Sequence, residues 1–255
     1  MINHGTGGFI LKTVLIVIAI FFAVGCRKGN PVEVDSSVQR YFPLAAGNSW
    51  DFDETTDLGG GDTTVAYQVV LDSPIVFDGL KWYGVQNNCV DSRVLNPIPL
   101  HCARWARNGN KILSQRDGPG PALGLQETIL DFPLLKGKQW TIYSTDTTYI
   151  QAPGDTIHMV SVSKRYVQGF ETVTVPFGRI SNVAHVLDST WYEYTNTHPA
   201  RPFHESDITA TDEWYAVDIG MVKQITRISS TSTDTSPIST YWLYEVRKYN
   251  VRVND

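Results

Sequence analysis

The sequence predicts an all-β protein of mainly antiparallel sheets, arranged as a sandwich or a curved partial barrel and built from two related repeats. Three observations lead to this fold class. Short segments in which apolar residues recur at every second position alternate with turn residues such as Asp-Gly and Asn-Gly. A nine-residue motif occurs twice. After residue 25, no long stretch of sequence has apolar residues recurring with the period of about 3.6 residues that marks an amphipathic helix.

The repeated motif reads Phe-Pro-Leu-x-x-Gly-x-x-Trp at residues 42–50 and again at residues 132–140. Trp, Phe and Pro occur only 7, 10 and 13 times in 255 residues, so five matches at one offset are not expected by chance. We therefore expect a β-rich unit of about ninety residues used twice, as repeat 1 (41–131) and repeat 2 (132–255). The motif residues with a structural role are Phe42, Pro43, Gly47 and Trp50 in the first copy and Phe132, Pro133, Gly137 and Trp140 in the second.

The first 25 residues are predicted to be a lipoprotein signal peptide. Lys12 precedes an apolar run over residues 14–24, which is shorter than the roughly 20 residues that span a bilayer. The following residues 23–26, Ala-Val-Gly-Cys, resemble the lipobox of bacterial lipoproteins, in which the chain is cut before the cysteine. This resemblance implies that Cys26 carries acyl chains, palmitate among them, and that these chains attach the protein to a membrane. An ordinary secretory signal with an incidental cysteine is the alternative.

After cleavage, residues 26–40 read as a tether that holds the folded part away from the bilayer. Arg27 follows the anchoring cysteine, which favours the outer membrane, facing the periplasm or the cell exterior, over retention at the inner membrane. Cys89 and Cys102 are predicted to form a disulfide, because disulfides persist outside the cytoplasm. Such a bridge would contribute about 3 kcal/mol. Two free thiols, or a redox or metal pair, are the alternatives.

The expected elements of both repeats are short strands joined by turns. In repeat 1 they are a strand over 64–71, a hairpin over 75–85 across Asp78-Gly79, a loop over 96–103 and a hairpin over 105–114. In repeat 2 they are alternating residues over 173–177, strands over 182–187 and 190–195, a hairpin over 213–228, a loop over 229–236 and a closing strand over 241–246.

Three motifs together resemble a family of uncharacterised secreted bacterial β-rich proteins and lipoproteins. They are Phe-Pro-Leu-x-x-Gly-x-x-Trp, the stretch over 176–183 that begins Pro-Phe-Gly-Arg, and Trp214-Tyr215-Ala216 followed by Gly-Met-Val-Lys at 220–223. The family has Pro and Gly where this chain has Val217 and Asp218. The resemblance implies a β fold and an envelope location, and it implies no catalytic residue.

Composition and spacing predict no cofactor, metal site or catalytic residue. A formal net charge of −5 with scattered basic residues argues against nucleic acid as a partner. The acids Asp51, Asp53, Asp57 and Asp62 lack the order of a calcium loop. Two histidines and two acids within residues 198–207 match no zinc spacing, so we expect a solvated loop there.

The aromatic residues, 11% of the chain, crowd into short clusters at 191–194, 214–215 and 241–244. Adjacent strand residues face opposite ways, so either both sheet faces are covered or some rings are exposed. We expect a non-enzymatic binding or structural module whose partner is an unknown protein, glycan or lipid, held on a sheet face or in a barrel mouth. A hydrolase of envelope polymers and a carrier of a lipid or other hydrophobic ligand are the alternatives.

Overall fold

The computed structural model describes residues 37–57, 63–70, 74–89, 100–116, 126–152, 155–197, 202–232 and 238–252. Residues 35–255 form one compact unit. A short helix, α1 (Ser37–Tyr41), precedes the strands of this unit. The strands are β1 (Ser49–Thr56), β2 (Thr63–Val70), β3 (Ile75–Phe77), β4 (Leu80–Cys89), β5 (Leu100–Asn108), β6 (Lys111–Arg116), β7 (Gln126–Asp131), β8 (Gln139–Ala152), β9 (Asp155–Val175), β10 (Gly178–Asn196), β11 (Phe203–Ala216), β12 (Gly220–Ser232) and β13 (Ile238–Asn250).

The strands form one antiparallel sheet that is nearly closed into a barrel. Its order is β7-β6-β5-β4-β2-β1-β13-β12-β11-β10-β9-β8, and β3 pairs with β4 outside this path. The sheet therefore consists of two meanders joined where β1 pairs with β13. At the opposite side, the Trp140 indole in β8 donates to the Thr128 carbonyl in β7 at 2.9 Å. The all-β, antiparallel prediction is confirmed, and the architecture is the curved barrel.

Predicted turns are confirmed at Asp78-Gly79 and at Asn108-Gly109, where β5 ends and the turn to β6 begins. Asp78 and Gly79 have φ of 51° and 73°, and they join β3 to β4. Three predicted loops are wrong where strands replace them: residues 100–103 belong to β5, 203–207 to β11 and 229–232 to β12. These segments are rich in polar residues, which is typical of loops. An antiparallel strand with one solvated face also accommodates polar residues, at every second position.

The two copies of the nine-residue motif make the same backbone hydrogen bonds. Gly47 N donates to Val70 O at 2.9 Å, and Gly137 N donates to Val167 O at 2.8 Å. In both copies the residue after the glycine accepts a bond from that same valine. Gly47 and Gly137 have φ of 81° and 84°, a region that favours glycine. Duplication of a whole repeat, with its boundary between 131 and 132, stays a prediction.

The apolar residues of both motifs enter one core. Phe42 and Leu44 from the segment before β1 meet Phe132 and Leu134 from the segment before β8. They pack with inward-facing residues of α1, β6, β7, β9, β10 and β11, namely Val38, Ile112, Leu130, Val167, Ala184, Val186 and Tyr215. The Phe42 ring lies 4.8 Å from the Trp105 ring. Apolar residues of both motif copies are therefore part of the same core, while the structural role of the full motif stays a prediction.

A second cluster lies where the turn between β9 and β10 packs against β1 and β13. Phe177 N donates to Val246 O at 3.1 Å, and the Phe177 ring lies 4.8 Å from the Tyr249 ring. Trp50 is buried in this cluster, and its indole donates to Ile219 O at 2.6 Å. Both motif tryptophans therefore donate to a backbone carbonyl.

The two cysteines predicted to pair lie on neighbouring strands, Cys89 in β4 and Cys102 in β5. The register sets Ala103 opposite Val85 and Leu100 opposite Asn87. The point opposite Cys102 is therefore about 10 Å along β4 from Cys89 at the usual strand rise, whereas a disulfide spans Cα separations of up to about 7 Å. A bridge requires the strands to shift, and the disulfide stays a prediction.

The leader, Cys26 and most of the tether lie outside the described residues. Within the described ranges, no helix has the length and apolar character that crossing a bilayer requires.

Candidate functional site

A buried charged network lies on the inner face of three neighbouring strands. Arg165 of β9 donates through Nε to Asp188 Oδ2 of β10 at 3.0 Å, and its Nη1 lies 2.9 Å from Glu213 Oε2 of β11. The same nitrogen donates to Ile129 O of β7 at 2.7 Å. The Tyr215 hydroxyl donates to Glu213 Oε2 at 2.8 Å. We call the place where β7 and β8, the two edge strands of the sheet, meet the β7–β8 seam. The Arg165 guanidinium connects the two meanders across it.

Burial is the largest single influence on the pKa values in this network. Burial alone would lower the pKa of Arg165. The negative charges of Glu213 and Asp188 have the larger combined effect, and the pKa of Arg165 is therefore raised above its ordinary value. Burial raises the pKa of Glu213; the charge of Arg165 opposes this shift, and the negative charge of Asp188 adds to it. Burial also raises the pKa of Tyr215 well above its ordinary value, and the charge of Glu213 adds to this shift.

A small cavity adjoins the network at the seam. Its volume is about 90 Å³, which corresponds to roughly three water molecules and is well below the roughly 300 Å³ at which ligand pockets begin. The lining is mainly polar and consists of Glu127, Ile129, Ile142, Tyr143, Ser163, Arg165, Asp188 and Thr190. The cavity can admit water or a single polar group.

A larger surface lies farther along the same inner face, where β8 to β11 extend beyond the core. Six side chains from β8, β10 and β11 share this face, and we call them the aromatic–acidic wall: Tyr149, Tyr192, Tyr194, Phe203, Glu205 and Asp207. The face follows from strand alternation, because β10 residues at even positions include the buried Ala184 and Val186.

The members of the wall lie close together. The Tyr192 and Tyr194 ring centroids are 6.5 Å apart, and those of Tyr194 and Phe203 are 5.9 Å apart. Register places Tyr192 opposite Asp207 and Tyr194 opposite Glu205. Burial raises the pKa of Tyr192, and the negative charge of Glu205 adds to it. Tyr149 is 44% exposed, so the wall is open to solvent.

No family model matches this chain, and no curated protein does. Two solved structures are similar to it. One is a Parabacteroides distasonis protein classed as a lipoprotein, with 13% identity, coverage of 83% of this chain and 98% of that chain, and a TM-score of 0.42. The other is a Bacteroides fragilis protein classed as exported with a YmcC-like fold, with 14% identity, coverage of 83% and 99%, and a TM-score of 0.38.

On the outer face, a histidine joins two acids. His185 Nε2 lies 2.8 Å from Asp212 Oδ1, and its Nδ1 lies 3.2 Å from Glu171 Oε1. The His185 ring stacks on Trp214 at 4.5 Å. Arg227 Nη1 lies 2.7 Å from the second oxygen of Asp212. These groups satisfy one another, which is typical of a structural network.

Sequence reasoning identified the aromatic clusters but not the acids beside them. The sequence predicts a solvated loop for Glu205 and Asp207, whereas they lie in β11 on the same face as Tyr192. Residues 198–201 of that predicted loop lie outside the described residues, as does Asp62. Among the described residues, no group of three or more histidines, cysteines or acids could hold a metal ion. The sequence over 203–215 has no strict polar and apolar alternation, so the pairing of β11 with β10 is what places the two acids.

Proposed function

We propose that this protein is a lipid-anchored binding module of the bacterial envelope that takes its ligand on the aromatic–acidic wall. One observation carries the proposal: half-exposed rings and carboxylates share the inner face of paired strands beyond the apolar core. Rings in that position offer flat apolar area, and carboxylates fix the orientation of polar groups. Rigid strands hold both, which suits binding without reorganisation.

The structure favours a binding module over the alternative hypothesis, a carrier of hydrophobic molecules. A carrier needs a roomy apolar interior, whereas the cavity at the seam is small and lined by Arg165, Asp188 and Glu127. The wall also combines its rings with Glu205 and Asp207, whose carboxylates disfavour contact with an acyl chain.

The anchor is tested by expressing the full chain in bacteria with radiolabelled palmitate. We expect label on the wild-type protein and recovery in the membrane fraction, because acyl chains on Cys26 supply the attachment. Cys26→Ser should lose the label and leave that fraction. Label that persists in Cys26→Ser, or a wild-type protein that takes up none, would contradict the anchor.

The wall is tested on the detergent-solubilised full chain by NMR titration with tetramethylammonium, with N-acetylglucosamine and with acetate. We expect at least one probe to shift wall resonances saturably, and Tyr192→Leu to raise the Kd of that probe about tenfold. Trp191→Leu is the control, because Trp191 is the neighbouring ring on the opposite face and is 37% exposed. Shifts from none of the probes, or a Kd that Tyr192→Leu leaves unchanged, would refute binding at the wall.

A further inference from the structure

We propose that the aromatic–acidic wall recognises an organic ammonium group. This inference rests on the proposed function, because it names the chemistry of the ligand that the same wall would take. The charges on the inner face, the arrangement of the rings and one buried carboxylate oxygen support it.

The charges of the wall are negative. Glu205 and Asp207 both face inward on β11. Among the described residues of β8 to β12, Arg165 is the basic residue on the inner face that lies nearest to the wall. Its guanidinium is already paired with Asp188 and Glu213. The bases next to the wall on β11 and β12, His204 and Arg227, occupy the alternate positions that face outward. An anion would therefore be repelled here, and a cation attracted.

The rings complement a cation for a second reason. The face of a tyrosine or phenylalanine ring carries partial negative charge, so an ammonium within about 6 Å of the ring centre is attracted to it. Tyr192, Tyr194 and Phe203 are consecutive neighbours at 6.5 Å and 5.9 Å. An alkylammonium placed among them would contact several rings while facing both carboxylates.

Asp207 provides an acceptor that the described residues leave unused. Its Oδ1 is shielded from solvent and accepts no hydrogen bond from them. Glu205 Oε1 accepts one long bond, from Ser230 Oγ at 3.5 Å. A shielded carboxylate oxygen without a donor leaves negative charge uncompensated, and a cation held at the wall would offset that cost. A neutral sugar would leave the charges of Glu205 and Asp207 uncompensated.

The experiment compares methylammonium and tetramethylammonium with 3,3-dimethylbutanol, a neutral molecule of similar size, by NMR titration of the full chain in detergent. We expect both cations to bind with a Kd on the order of 1 mM and the alcohol to bind at least about tenfold more weakly. Asp207→Asn and Tyr192→Leu should each weaken cation binding about tenfold. Glu193→Gln, whose position faces outward, should leave the Kd unchanged.

The outcomes separate the two proposals. Saturable binding of N-acetylglucosamine at the wall without binding of either cation would overturn the ammonium inference and keep the wall as a binding surface. Equal affinity for the alcohol would also overturn the inference. Absence of any binding at the wall would overturn both. Melting curves of each variant check that the fold is retained.

The source of the ammonium group is resolved by two further titrations. A lysine-containing peptide presents the group on a protein, and vesicles with choline headgroups present it on a membrane. Competition of either with tetramethylammonium at Tyr192 and Asp207 would identify the source, while competition by neither would assign the site to free amines.

Discussion

At the scale of single residues, different side chains fasten the two motif turns. Asn48 is buried, and its amide donates to Pro43 O at 2.8 Å and to Arg252 O at 3.1 Å. Ninety residues on, Lys138 donates through Nζ to Asp131 O at 2.7 Å. The backbone bonds of the two turns are alike although these side chains differ, because the glycine conformation and the strand after it set the turn.

The Tyr215 hydroxyl is expected to lower the stability of the fold as the pH becomes alkaline. Its pKa is raised in the folded state by burial and by Glu213, so folding favours the neutral phenol. This contribution is fully present below the ordinary pKa of about 10 and is lost as pH rises above it. We expect Tyr215→Phe to cost about 1–3 kcal/mol at neutral pH through the lost hydrogen bond and to show a smaller alkaline loss.

Urea unfolding at about pH 8 and about pH 11 measures this difference. Tyr241→Phe is the matched control, because Tyr241 is 39% exposed. An equal alkaline loss in wild type and Tyr215→Phe would contradict the argument.

At the scale of elements, long strands separate the second meander from the first. β9 and β10 are 21 and 19 residues long, whereas β6 and β7 are 6 residues each. The extra length carries inner-facing residues beyond the core, and it is there that the wall forms. Each meander begins with a motif turn whose glycine has a positive φ.

Gly137 tests how much that turn depends on glycine. A Cβ at this position would meet no atom within 4 Å, so any cost arises from the φ of +84°. We expect Gly137→Ala to lower the free energy of unfolding by about 1–2 kcal/mol. Gly137→Asn should cost less, because asparagine tolerates this conformation better. Thermal and urea unfolding of the two variants decide it, and an alanine variant as stable as wild type would contradict the explanation.

At the scale of the whole molecule, the seam between β7 and β8 is where the sheet is held by side chains. Trp140 reaches Thr128 O, and Arg165 reaches Ile129 O. Arg165 also binds acids from β10 and β11. A buried ion pair adds little compared with an apolar pair, but removal of one partner leaves charge buried without compensation.

We therefore expect Arg165→Met to destabilise the protein by about 3–5 kcal/mol and to increase hydrogen exchange in β7. Arg165→Lys should restore only part of this, because one ammonium cannot reproduce the fork of the guanidinium. Lys164→Met is the control on the exposed face. A cost below about 1 kcal/mol for Arg165→Met would show that the seam does not depend on this residue.

The sequence by itself determined the β class, the antiparallel hairpins and the turns at positions such as Asp78-Gly79, because these depend on local alternation and backbone preference. It also singled out the two motifs whose residues enter the core. Only the tertiary structure decided that Arg165, Asp188 and Glu213 meet, and that Tyr192 shares a face with Asp207. Alternation divides a strand into two faces, but the neighbouring strands and the closure of the sheet decide which face is inside and which charges come together.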